Sequence, residues 1–168
     1  MENEHILTVD QFKELARPTS KHIDENDVQT YIRECEDIII IPAVGLKRFK
    51  ALCQTELSES DKILLEGGEY TDKAGNLTKC PGLHLALSYF VYAKLMMGNG
   101  GMLTRTGMML HNDSYATRED DKNRVRHYDD AMNVAEAYLE GCLQYMRVNN
   151  ETANPVRGSR LRIHAIGD

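Results

Sequence analysis

Cys80 and His84 stand four residues apart in KCPGLHLAL, a spacing at which two metal ligands can share one helix face. Pro81-Gly82 between them breaks the helical turn such a pair needs, and no second pair with ligand spacing follows. The other cysteines, Cys35, Cys53 and Cys142, are scattered without a CxxC pair, as reduced and buried small hydrophobes would be. His111 and Asp113 are near each other in a loop-like stretch, where such a pair reads as polar surface. The expectation is no metal and no cofactor.

Nucleophilic and phosphate chemistry find no better support. There is no GxSxG, and no cysteine has a neighbour that the sequence nominates as its base. GNGG at 98–101 lacks the Gly-Lys-Ser/Thr ending of a phosphate-binding loop and reads as helix termination, as does Gly67-Gly68. The carboxylates of TREDD (117–121) sit at a helix start, where capping and the helix dipole account for them. The chain reads as a non-enzyme. A small hydrolase or nucleic-acid-processing factor using Cys80, His84 or His111 is the alternative.

The elements that carry these residues are helical. Thr8 and Gln11 form a capping box that opens a helix running to about Ala16. A second helix starts between Asp24 and Asp27, with Val28, Tyr31, Ile32, Cys35, Ile38 and Ile39 as its apolar face. Pro42 removes an amide donor and disfavours helix at Ile41, so a break is expected there, with helix resuming through Leu46, Phe49, Leu52 and Cys53. A short element from Ser60 to Leu65 ends at Gly67-Gly68. The 69–79 loop is a small hairpin or a surface excursion. GLHLALSYFVYAKLMM is apolar nearly all round, as a central buried helix would be. Met102 to His111 reads as a short strand or extended loop. From an N-cap at Thr117, Val125, Tyr128, Met132, Ala135, Leu139, Cys142 and Met146 then make one continuous seam. The expected fold is all-α, a helical bundle over residues 1–148 with a short extended or hairpin excursion. Residues 149–168 follow as an extended basic C-terminal arm.

At 168 residues the chain is long enough for one self-sufficient core. Leu83 to Met97, the longest strongly apolar stretch, is interrupted by His84 and Lys94 and too short for a bilayer, so no membrane is expected. MENEHILTVD has neither a basic nor an apolar leader region, which points to a protein made in the cytoplasm.

The net charge of −6 hides a split. Residues 147–168 carry Arg147, Arg157, Arg160 and Arg162 against Glu151 and Asp168, so the body alone is more acidic than the whole. An acidic body argues against a protein that grips nucleic acid, and the tail has no aromatic residue to stack on bases. Leu161 to Ile166 alternates, placing Arg160, Arg162 and His164 on one face of a strand, with Leu161, Ile163 and Ala165 on the other. Three apolar side chains cannot offset the backbone entropy of so long a segment. The tail is therefore expected to order on a partner, for which strand addition to a sheet edge is one mode.

Gly67-Gly68-Glu69-Tyr70, Gly82-Leu83, the helix through Tyr89, Phe90 and Tyr92, and Thr104-Arg105-Thr106-Gly107 occur in an order that resembles small phage and prophage proteins of gut Bacteroidetes. IPAVGLKRFKAL upstream and HYDDAMNVAEAYLEGCLQYM downstream sit where that pattern has them. Together they are similar to the head–tail connector (adaptor) proteins of tailed phages, including portal-proximal rings of crAss-like phages. The resemblance implies a structural virion protein of the neck, a subunit of a homo-oligomeric, dodecameric ring. That ring would lie between the portal protein and the next neck or tail ring protein, with DNA passing through unbound. It also implies that the C-terminal arm docks on the portal, with Arg157, Arg160, Leu161, Arg162, Ile163 and His164 as the docking residues. Tyr70, Leu103, Thr104, Arg105 and Met108 are candidates for contacts with neighbouring subunits or the next ring. A different neck or tail-completion protein is the nearest alternative. The methionines Met96, Met97, Met102, Met108 and Met109 are expected in the core.

Overall fold

A computed structural model describes residues 4–17, 23–98, 102–104, 107–109 and 121–154, with backbone alone for 102–104 and 107–109. Expectations that fall on the intervening residues, the Thr117 cap among them, lie outside the described residues. The fold is mainly helical, with two small antiparallel hairpins.

Helix α1 (Val9–Leu15) begins at the expected capping box, in which Thr8 and Gln11 satisfy each other's backbone donors. Helix α2 (Glu25–Cys35) is capped by Asp24, whose side chain accepts from the Asn26 amide. Beyond it, Pro42 does not break the helix. Glu36–Ile40 instead widen into a π-helical turn, with the Ile41 amide donating to the Glu36 carbonyl, and α3 (Ile41–Val44) continues through Pro42. In an α-helix the Pro42 ring would strike the Ile38 carbonyl, and the wider turn relieves that clash. The break comes at Gly45, whose φ of 87° reverses the chain into α4 (Leu46–Leu52).

The extra residue of the π turn also shifts the inward face. Val28, Ile32, Cys35 and Ile40 are buried, whereas Ile38 is 67% exposed and Ile39 only half-buried, contrary to the α-helical phase read from sequence. Glu36 takes an inward place instead. Its Oε1 accepts from the Ile6 amide at 2.9 Å and its Oε2 pairs with His5 Nδ1 at 2.6 Å, which ties the N-terminal segment to the turn. Burial pushes the Glu36 carboxyl above its usual range, and the hydrogen bonds from His5, Ile6 and Leu7 only partly counter it.

Helix α5 (Glu59–Glu66) starts at a Ser58–Asp61 capping box and ends at Gly67. Strands β1 (Gly68–Thr71) and β2 (Leu77–Cys80) form the first hairpin, pairing Tyr70 with Thr78 and Thr71 with Leu77. Asp72 closes its tip, accepting from the Ala74 and Asn76 amides. Helix α6 (Leu83–Gly98) follows at once. Gly82 has φ 95°, and a Cβ there would lie 2.6 Å from the Gly67 nitrogen, so two chain segments cross where only glycine fits.

Helix α6 is the buried centre, with Leu83, Ala86, Leu87, Phe90, Val91, Ala93 and Leu95 all enclosed. Its main partner is α7 (Asp121–Val148), and α1, α2 and α5 cover its other sides. Along α7 the expected seam holds from Tyr128, half-buried against the core, to Met146, but Val125 is 46% exposed. Between the two helices, β3 (Met102–Thr104) pairs antiparallel with β4 (Gly107–Met109), so the extended stretch is a second hairpin.

Replacing Glu36 by Ala strands the buried Ile6 amide and frees the N-terminal segment. The variant is expected to lose about 1–3 kcal/mol of stability in urea unfolding. A variant as stable as the parent would show that the His5–Glu36–Ile6 junction contributes nothing.

Candidate functional site

Helix α7 ends in a Schellman motif. Asn150 adopts φ 59°, the Glu151 amide donates to the Met146 carbonyl at 2.9 Å, and the Asn150 amide to Arg147 at 3.3 Å. Asparagine tolerates this left-handed conformation better than most residues. The chain then turns back over the body instead of leaving it.

Three contacts hold this returning segment. At the first hairpin's tip, Lys73 Nζ donates to Asn150 Oδ1 at 3.2 Å. On α4, the Arg48 guanidinium meets Glu151 with two nitrogens, Nε to Oε2 at 2.7 Å and Nη2 to Oε1 at 3.1 Å. Arg48 Nη1 reaches Asp61 Oδ1 at 2.6 Å. The Nη2 contact is an aligned hydrogen bond. The other two are ion pairs, and Arg48 Nε, Asp61 Oδ1 and Glu151 Oε2 are buried with no better-aligned partner among the described residues. Each charge in this trio therefore depends on the others.

The third contact is at Asn154. Its backbone amide donates to the Ala43 carbonyl at 3.0 Å and its Nδ2 to the Pro42 carbonyl at 2.9 Å. These carbonyls belong to the last turn of α3, where no intrahelical donor follows, so Asn154 serves as a distant C-cap. Ala153 packs against the core beside it. The body thus extends through Asn154, and the first residues of the 149–168 arm are docked on it.

Arg157, Arg160, Leu161, Arg162, Ile163 and His164 lie outside the described residues, as does Arg105. Tyr70 faces inward: its ring meets Tyr145 edge to face at a centroid distance of 5.0 Å, and the Tyr145 hydroxyl donates to the Ser60 carbonyl at 3.3 Å. Tyr70, half-buried, thus seats the hairpin on α7 while leaving part of its side chain accessible. Leu77, within the same 69–79 loop, is the hairpin's large apolar residue most open to solvent, 71% accessible. Leu103 pairs with Met108 and Thr104 with Gly107 across the second hairpin. Of the methionines, Met97 is 42% exposed and is not core.

Cys80 and Cys142 are both fully buried where the base of β2 meets α7, and both thiols are free. His84 lies in the first turn of α6, and its burial lowers its pKa. Among the described residues no three His, Cys, Asp or Glu side chains are grouped to hold a metal ion, and no helix is long and apolar enough to cross a membrane.

Residues 40–155 match the model of a family of unknown function, DUF6712, and the chain belongs to that family. No curated protein and no solved structure matches it. The matched region contains Arg48, Asp61, Glu151 and Asn154, whereas the basic residues 157–164 fall beyond it.

Burial opposes ionisation of Asp61, but hydrogen bonds from Ser58 and the Arg48 charge outweigh it and hold the carboxyl below the usual range. A depressed carboxylate stabilises the fold above its unfolded pKa of about 3.9, and that contribution is lost as pH falls through the folded value. Asp61→Asn is expected to lower stability near pH 6 and to flatten the decline between about pH 4 and 2. Urea unfolding across that range checks it. An unchanged acid limb would mean that the fold does not hold the Asp61 carboxyl below the usual range.

Proposed function

We propose that the chain is a structural subunit of a tailed-phage neck, a head–tail connector that joins the portal to the next neck or tail component. In this reading the helices form a bundle that is the wall of a ring, twelve-fold as the family resemblance implies. The genome passes through the ring without specific binding. Residues 155–168 are the extended arm, and Arg157, Arg160, Leu161, Arg162, Ile163 and His164 dock it on the portal.

One observation carries the reading. The body closes on itself at Asn154, and the residues after it hold three arginines against one aspartate, with an alternating apolar face. A basic strand-like tail that begins at a fixed point on an acidic body suits an acidic sheet edge on a partner. Repetition around a ring strengthens such docking, because each later attachment is intramolecular. The acidic body would also repel DNA phosphates along a channel. Ile38 and Leu46, 67% and 55% exposed, lie four residues either side of Pro42 in sequence and are apolar surface available to a partner. Tyr70, Leu103, Thr104, Arg105 and Met108, with the exposed Leu77 beside Tyr70 on the first hairpin, are the candidates for contacts with neighbouring subunits or the next ring.

Co-sedimentation with assembled portal rings from the same genome tests the reading. The informative truncation ends after Asn154, since one ending at Asn150 would also remove the Glu151 and Asn154 contacts. Full-length protein is expected to pellet with portal and the truncated form to lose at least tenfold in affinity. Equal binding would remove the arm from the mechanism. Binding by neither form would point to a different neck or tail-completion protein.

A further inference from the structure

The tail root is held at three points on three different elements, although a disordered arm would need none. We propose that residues 149–154 form a strap, latched by Lys73, Arg48 and the α3 carboxyl end, that fixes the place and direction in which the arm leaves the body. Only its use rests on the connector reading; the latch is a property of the chain alone.

The contacts divide the task. Asn150 reverses the chain and presents its side chain to the hairpin tip through Lys73. Glu151 gives direction, because a two-pronged approach to a planar guanidinium fixes orientation as a single-point contact does not. Arg48 is itself held from the far side by Asp61, an N-cap partner of α5, so the clamp cannot swing with the strap. Asn154 then bonds the end of α3 with backbone and side chain together, a second two-pronged contact only three residues on. Two such contacts so close leave the intervening Thr152 and Ala153 little freedom, and Pro155 restricts Asn154 further.

Arg48, Glu151 and Asn154 are therefore positioning residues. The strap also joins two regions otherwise distant in sequence, the tip of the first hairpin at Lys73 and the end of α3 at Pro42 and Ala43. A subunit that uses both would hold them in constant relation to its arm.

Spin labels test this on the protein alone. The four native cysteines are buried, so thiols introduced by Glu34→Cys on α2 and Val156→Cys just beyond the strap would be labelled preferentially. Pulsed dipolar spectroscopy is expected to give one narrow distance distribution in this background. Adding Glu151→Ala and Asn154→Ala should at least double its width, and Arg48→Lys, which keeps the charge and loses the fork, should fall between. Thr152→Ala should leave it narrow. Amide exchange in α6 and α7 monitors the fold, and its protection should persist in every variant. A parent distribution as broad as that of the Glu151→Ala/Asn154→Ala protein overturns the latch, whatever the portal does.

Discussion

Everything in this fold follows from the need to bury one helix that has no polar face. Helix α6 presents leucine, alanine, phenylalanine or valine in nearly every direction, so a single partner cannot cover it. Helix α7 covers the largest share, and α1, α2 and α5 close the remaining sides. Ser88, fully buried within α6, satisfies its own hydroxyl on the His84 carbonyl at 2.7 Å and so needs nothing from its neighbours. At the entry to α6 the chain crosses itself at Gly67 and Gly82, which lets the first hairpin sit against α7 beside the helix it precedes.

That enclosure creates a second demand, at the ends of the covering elements. The N-terminal segment is fastened by Glu36, the hairpin by the edge-to-face Tyr70–Tyr145 pair, and the last turn of α3 by Asn154. Each fastening joins segments far apart in sequence; Glu36 satisfies the buried Ile6 amide and Asn154 two carbonyls at a helix end, whereas the tyrosine pair acts by packing. The strap belongs to this set. It finishes the body and at the same time defines where any further chain must begin.

Local signals were legible in the sequence. The Thr8–Gln11 box, the start of α2 between Asp24 and Asp27, the glycine stop after α5 and the enclosed α6 depend on residues within one turn of each other or on continuous apolarity, and all were found there. The π turn was not, because Pro42 signals only that an α-helical donor and a carbonyl position are lost. Widening the turn answers that as well as breaking it does. Ile38 was consequently placed on the inward face, and no local pattern singled out Glu36. The strap was invisible for another reason: Arg48, Asp61 and Glu151 come from three elements, and no spacing pattern links them. In sequence Asn150 marks only the end of the α7 seam, which closes at Met146. That the same residue begins a docked return depends on Lys73, far away in the chain.

Electron cryomicroscopy of the portal incubated with this chain tests the connector reading most directly. A ring of copies against one face of the portal is expected, with each body closed at Asn154 and residues 157–164 lying as a strand on the portal surface. Portal particles without the ring, or a ring whose C-terminal residues turn away from the portal, would contradict it.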